Sequence, residues 1–550
     1  MNARAPRVGA TFRAPRFDVN LRVLRTELRR SAAPWAGGVI LIGALAFLYA
    51  LDAGWWHGTT AWTAQWTSLA MWTRGLLFYL WPLAVGLGTL QGLRDRRSKM
   101  VELLTSTPRP ARHRAAVPAG ATALALASAF ALVVAVGGVQ VIANTSYTHA
   151  GWLPITLIAV LFLVAGAVLG MGVGRALPSV LTPPLMAMAA FAFTALMHSS
   201  LGRTAKLDPA IGITTTEPNR LSLLSPEVDE VRSTLVTLSS AVHIGQTIWV
   251  LGMAATGFAL LIAANRRARL IALTPVVAGA ALALLVLPSA PNRMYVVDTA
   301  AAAPVCDGPV CVARVHEDRL AALAGPGKEA LRLLHRALGD RAPVSVRENT
   351  TVAPWGSTPK WSRTTVLFTF DDDIVADAAT PEELTSALLA EGMVPGCDPV
   401  GWSGFGGDQY AQSVAVGWIL GRLQPLPGTP AMVRDEVEAK SRPVWEQLKA
   451  LPWSGQLARI NAMRGAALAC KGDPFEVVSG RGRGEVGVRG GETPAFLGKM
   501  ATPGRELAPP PPEMADPLRP FPSSPRLARR LGDRRHERVG GRAEPWCRGR

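Results

Sequence analysis

The sequence predicts an α-helical polytopic membrane protein of about seven transmembrane helices, followed by a smaller α+β extracytoplasmic domain and a disordered basic tail. Three observations carry this reading. Of 550 residues, 49% are apolar and only 18% charged, whereas about a quarter of a soluble globular chain is charged. Apolar runs of about 20 residues, the length that crosses a hydrocarbon core of about 30 Å, recur through the first half. The basic residues gather beside those runs instead of spreading over the chain.

Seven stretches meet the length requirement, near 36–54, 75–93, 116–142, 153–174, 179–198, 246–264 and 270–287. The fifth contains Pro183 and Pro184, which a span tolerates because neighbouring helices satisfy the freed carbonyls. Orientation follows from Lys and Arg, which are retained in the cytoplasm. With the N-terminus inside, the inner loops collect nineteen basic residues and the short outer loops five. Everything after residue 288 is then extracytoplasmic, in a multi-pass protein of the cell membrane. The resulting organisation is a cytoplasmic amphipathic segment 1–34, a transmembrane domain 35–288, an α+β domain 289–480 and a Pro/Gly-rich basic tail 481–550.

The net charge of +17 does not describe a nucleic-acid surface. Residues 288–480 hold 18 basic against 22 acidic residues, so the excess sits in membrane-flanking loops and in the tail. Membrane lipid is the expected partner for that charge, and no nucleic acid is expected.

All five cysteines follow the last span, as suits a domain in an oxidising exterior. Cys306 and Cys311 flank the turn dipeptide Asp307-Gly308, which favours a hairpin clasp. Cys397 with Cys470 is then the second candidate pair and leaves Cys547 over.

Ahead of the first span, Phe17, Leu21, Leu24 and Leu28 recur at helical spacing, with Arg22, Arg25, Arg29 and Arg30 on the other faces. Such a helix lies in the headgroup plane. No small-residue cleavage pattern ends the first apolar run, so a cleaved signal peptide is not expected. Five tryptophans crowd the loop after the first span, with Trp62, Trp66 and Leu69 on one helical face, and the expectation is anchoring at the membrane interface. The ionisable residues nearest the spans, Asp52, Arg74, Arg175, His198 and His243, fall at span ends. A proton- or ion-coupled carrier needs one at depth. Any transport is therefore expected to draw its energy from another polypeptide.

The loop between the second and third spans offers a docking surface for that polypeptide. A basic cluster from Arg94 to Lys99 precedes Met100, Leu103 and Leu104, which form an apolar stripe on a short helix that Pro108 ends. Here the chain resembles the permease subunits of type-two export ATP-binding cassette (ABC) transporters, through a basic stretch, then Glu-Leu-Leu, then a Ser/Thr and Pro turn, with an amphipathic helix before the first span. The resemblance covers residues 15–265. It implies a loop helix that couples to a separate ABC ATPase subunit, Glu102, Leu103 and Leu104 as the coupling residues, and a dimer with a second permease copy or homologue. The seventh span and the domain after it depart from the six-span pattern, so no substrate class is carried over.

The chain itself is expected to be no enzyme and to hold no cofactor. Ala324-Gly325-Pro326-Gly327-Lys328-Glu329 lacks the upstream glycine and the Ser or Thr of a phosphate loop. His316-Glu317 begins like a zinc-protease helix, but Leu320 stands where the second histidine is needed. Asp371-Asp372-Asp373 reads as a solvated strand end in preference to a calcium site. In the domain after residue 289, a hairpin at 304–315, strands at 343–347 and 364–370, and helices near 328–338, 381–390, 408–422, 434–450 and 455–469 are expected. The helix from 381 is opened by a Thr380, Pro381, Glu383 capping box. The tail cannot bury enough apolar surface to fold. The second function class compatible with the sequence is a membrane-anchored receptor or sensor, whose spans only hold the outer domain. A mere anchor has no use for the Leu103-Leu104 knob.

Overall fold

The computed structural model describes residues 21–50, 61–94, 110–199, 203–208, 213–217, 219–227, 234–351, 357–370, 372–397 and 408–480. They belong to one compact unit, Met1–Glu485; a second unit, Val486–Arg550, lies outside the described residues, as do the expected disordered tail and Cys547.

The first half is a helical bundle. α1 (Leu21–Arg30) leads into α2 (Ala33–Ala50), followed by α3 (Trp66–Gly75), α4 (Leu77–Gly92), α5 (Ala111–Asn144), α6 (Leu153–Ala176) and α7 (Thr182–Ser199). Strands β1 (Arg203–Asp208) and β2 (Ile213–Glu217) pair antiparallel, and α8 (Ser240–Ile262), α9 (Arg266–Ile271) and α10 (Thr274–Val286) complete this half. Four helical segments are long and apolar enough to cross a membrane: α5, α6, α8 and the stretch Arg266–Val286. A fifth is reached if α3 and α4, bent by 51° at their junction, form one broken span. Ala33–Tyr49 is a shorter apolar helix. The chain thus has the helix content of a membrane protein.

These helices approach closely because small residues line their contacts, the packing that works where lipid is as apolar as the side chains. α6 turns Gly166, Gly170 and Gly174 toward α4, four residues apart on one face. A Cβ on Gly170 would stand 2.2 Å from the Val85 carbonyl oxygen, and one on Gly174 2.4 Å from that of Thr89. On another face of α6, Gly172 meets the Gly257 carbonyl of α8. α6 is consequently the central helix, with Phe162, Leu163, Ala159 and Ile155 fully buried.

The tryptophan face departs from expectation. Trp62 and Leu69 are each 1% exposed, and Trp66 stacks on Trp152 with centroids 5.1 Å apart. Their apolar face packs into the bundle, because α3 lies against α5 and α6 and offers the rings a protein groove. Trp55 and Trp56 lie outside the described residues.

The C-terminal domain builds a core of its own around a four-stranded mixed sheet. β5 (Pro304–Asp307) and β6 (Val310–Ala313) form the expected hairpin, with Cys306 opposite Cys311. α11 (Leu320–Leu338) then crosses over to β7 (Ser345–Glu348), which pairs parallel to β6, and β8 (Thr365–Phe368) adds parallel to β7. α11 starts eight residues earlier than the sequence suggests and contains Pro326. The short α12 (Asp373–Ala376) begins within the aspartate run. Helices α13 (Pro381–Met393), α14 (Gln409–Leu420), α15 (Ala431–Lys449), α16 (Trp453–Ala469) and α17 (Pro474–Ser479) complete the domain. The Thr380 capping box is formed in both directions, Glu383 N donating to Thr380 Oγ1 and Thr380 N to Glu383 Oε2. The pairs Cys306–Cys311 and Cys397–Cys470 are bonded.

Candidate functional sites of the bundle and the C-terminal domain

Three polar assemblies stand out in the helical bundle and at its junction with the C-terminal domain. The first lies where α1, the end of α4 and the start of α5 meet. Arg94 Nη1 donates to Glu27 Oε1 at 2.6 Å, and α1 also packs along α5. The N-terminal helix is thereby tied to both helices that border residues 95–109. That segment, with Met100, Glu102, Leu103, Leu104 and Pro108, lies outside the described residues, as does Phe17.

The second assembly is buried in the bundle. Arg74, which the sequence places at a span end, sits in the last turn of α3 at the break before α4 and is 0% exposed. Its Nη2 donates to Gln246 Oε1 of α8 at 2.6 Å and its Nε to the Pro226 carbonyl at 3.3 Å, while the guanidinium lies 5.8 Å from the centre of the Phe162 ring. Gln246 is itself oriented, since its Nε2 donates to the Leu223 carbonyl at 2.9 Å. One helical turn on, Trp249 Nε1 donates to the Leu224 carbonyl at 3.0 Å. The irregular segment 219–227 is thus held against the helices by side chains that satisfy its carbonyls. The sequence places Arg74 at a span end and gives no sign of its burial, which follows from the break between α3 and α4 that turns it toward α8.

The third assembly joins the bundle to the C-terminal domain. β3 (Val236–Leu238) pairs antiparallel with β4 (Tyr295–Val297), extended by Asp298 N to the Leu235 carbonyl at 2.9 Å and Ser239 N to the Met294 carbonyl at 2.9 Å. Beside this ribbon, buried Gln65 donates from Nε2 to Thr145 Oγ1 at 2.9 Å and to the Val315 carbonyl at 3.1 Å. His149 accepts at Nδ1 from Gly151 N at 3.0 Å, so its Nε2 carries the proton toward Thr67 Oγ1 at 3.2 Å. Burial holds this imidazole below the usual histidine range, as a neutral linker requires.

Deeper in the seam, Glu348 Oε1 meets His316 Nδ1 at 2.7 Å, and His316 Nε2 faces Thr234 Oγ1 at 3.4 Å. Glu348 Oε2 also accepts from Ala313 N at 2.8 Å. A carboxylate, imidazole and hydroxyl in line have the order of an acid-base relay. His316 is 2% and Thr234 4% exposed, however, so the hydroxyl is presented to protein and not to a substrate. The residue that sequence reading singled out as half of a metal motif is a seam residue whose partner lies on β7. Among the described residues no group of three His, Cys, Asp or Glu side chains is placed to hold a metal ion.

Comparison with protein-family models, with curated proteins and with solved structures finds no match to this chain.

Proposed function

We propose that the chain is the membrane-spanning permease subunit of an exporter of the type-two ABC kind, energised by a separate ATPase and paired with a second permease copy or homologue. In this reading the bundle makes seven crossings, α2 and α7 among them, with the N-terminus cytoplasmic and the C-terminal domain outside. The observation that carries it is the ion pair of Arg94 with Glu27. It ties an N-terminal helix rich in arginine to the mouth of the very segment, 95–109, whose Glu102-Leu103-Leu104 resembles a coupling helix. Polar-free stretches of α5 and α6 support a passive scaffold driven from outside the chain.

The test replaces Leu103 and Leu104 together with Asp. Each apolar side chain withdrawn from a partner groove removes about 1.5–3 kcal/mol, before the cost of an unpaired charge. ATPase recovered with the solubilised chain should fall by orders of magnitude, while the amount inserted in the membrane stays constant, because the basic residues that set orientation are untouched. Normal insertion with undiminished ATPase, or an unmodified chain that binds none, replaces this reading with that of a membrane-anchored receptor or sensor domain. A reporter fused after residue 300 is a second check, and its cytoplasmic appearance would remove a span from the proposed seven.

A further inference from the structure

Among the described residues, two arginines are buried, and they differ in how fully they are engaged. In the C-terminal domain Arg464 of α16 is completely engaged: Nε donates to the Gly392 carbonyl, Nη1 to that of Arg341 and Nη2 to that of Arg363, all at 2.9–3.0 Å. Arg74 is buried further, yet its Nη1 is without a hydrogen-bond partner. A guanidinium cannot shed its charge as a buried lysine does. No carboxylate lies within ion-pair distance of it among the described residues. Glu227, next in the chain to the Pro226 carbonyl that Arg74 binds, lies 3.1 Å from His198.

A second orphan donor lies nearby. Trp81 Nε1 is buried without a partner and rests on α6 at Gly166, one turn beyond the Phe162 ring that Arg74 covers. Gly166 is what admits it, since a Cβ there would stand 2.4 Å from the indole nitrogen. The Nη1 of a charged guanidinium and the Nε1 of a neutral indole, each without an acceptor, thus belong to side chains that pack on the same strip of α6. Gln246 is six residues into α8, about 9 Å along its axis from the helix start, so the strip lies below the end of the bundle that meets the C-terminal domain. A buried cation with a donor left unsatisfied is costly, and an anionic acceptor at that donor removes the cost.

We infer that the Nη1 edge of Arg74 binds an anionic oxygen group, a carboxylate or phosphate, between α3, α6 and α8. The orphan Arg74 amino group and the inward break of α3 and α4 are the observations behind it. The site takes one such group, because Nε and Nη2 are already committed to Pro226 and Gln246. The group comes either from a small solute or from a lipid headgroup. The inference is independent of any ATPase, since its readout is the unfolding of this chain alone.

The full chain is placed in phosphatidylcholine nanodiscs, and its thermal midpoint is read with inorganic phosphate or acetate added against chloride of equal ionic strength. A parallel set of discs contains phosphatidylglycerol. A ligand present at a hundred times its Kd raises the midpoint by roughly 5 °C. A rise with phosphate or acetate assigns a soluble anion, and a rise confined to phosphatidylglycerol discs assigns a headgroup. Either rise should vanish in Arg74→Gln, and also in Gln246→Glu, which supplies an internal carboxylate and keeps the arginine should the first variant fail to fold. Arg74→Lys, which retains the charge, should keep a reduced response. The inference is overturned if the unmodified chain is indifferent to all three anions, or if Gln246→Glu or a folded Arg74→Gln responds as fully as the unmodified chain.

Discussion

His316 and Glu348, 32 residues apart, meet at 2.7 Å in the seam between the helical bundle and the C-terminal domain. Glu348 divides its two oxygens between that imidazole and the backbone amide of Ala313, so one side chain fixes the turn after β6 to β7. Replacing it with Ala strands two buried polar groups at once. At about 1–3 kcal/mol for each group left unsatisfied, Glu348→Ala should destabilise the domain by roughly 2–6 kcal/mol. Glu348→Gln, which can still accept from Ala313, should cost less. Thermal unfolding of the purified chain checks the order, and limited proteolysis should find the 313–319 turn newly cleavable in the Ala variant. Equal midpoints for all three proteins would mean that the pair holds nothing.

What the sequence made legible was local. The apolar stretches expected at 116–142 and 153–174 fall inside α5 and α6, because about 20 uncharged apolar residues in a row favour a helix that satisfies its own backbone. The capping box at Thr380 and the turn between Cys306 and Cys311 depend on neighbours a few residues away, and both formed as expected. The misses are tertiary. The break that buries Arg74 depends on α8 and on segment 219–227, which are over 140 residues distant. Trp62 and Leu69 presented the amphipathic face expected at a lipid interface, but protein covers it. One available signal went unread: Gly166, Gly170 and Gly174 repeat every four residues, the spacing at which small residues make a helix contact face.

The two disulfides should differ in what they contribute. Cys397–Cys470 closes a segment of sequence separation 73, whereas Cys306–Cys311 closes one of 5. In the chain-entropy account the longer loop is worth about 4 kcal/mol and the shorter about 2 kcal/mol. Cys470 also has φ of 48°, alone among the described non-glycine residues in being positive. Glycine there would relieve strain and mask part of the loss, so Cys397→Ser with Cys470→Ser, which keeps a side chain at both positions, isolates the loss of the cross-link. This double variant should lose about twice as much stability as Cys306→Ser with Cys311→Ser, measured by denaturant unfolding of the full chain. Digestion of unreduced protein should recover both linked peptides; free thiols at all four positions on native protein would contradict the pairing.

Stability of the C-terminal domain should also fall as pH rises from about 4 to about 6, through one carboxyl pair. Asp408 and Asp473 cap the starts of α14 and α17, and their carboxylates converge on Phe475 N, which donates to Asp408 Oδ2 at 2.9 Å and to Asp473 Oδ1 at 2.7 Å. Burial first, and then the Asp473 carboxylate beside it, pushes Asp408 up to about 6, against the opposing pull of the Ala411 amide. The folded-state value lies above the unfolded one, so the protonated form is favoured by folding. Its contribution is complete below the unfolded value near 4 and is lost as pH climbs through 6. A rise of that size corresponds to about 2–3 kcal/mol. Asp473→Asn removes the neighbouring charge while its Oδ1 can still cap α17, and its amide can donate to Asp408. Asp408 should then return toward the ordinary aspartate range, and the variant should gain on its parent as pH rises from 4 to 7. Midpoints measured across that range give a difference curve in which the titrating groups outside this pair cancel. A flat difference would show that the two carboxylates titrate independently, and that burial alone sets the Asp408 value.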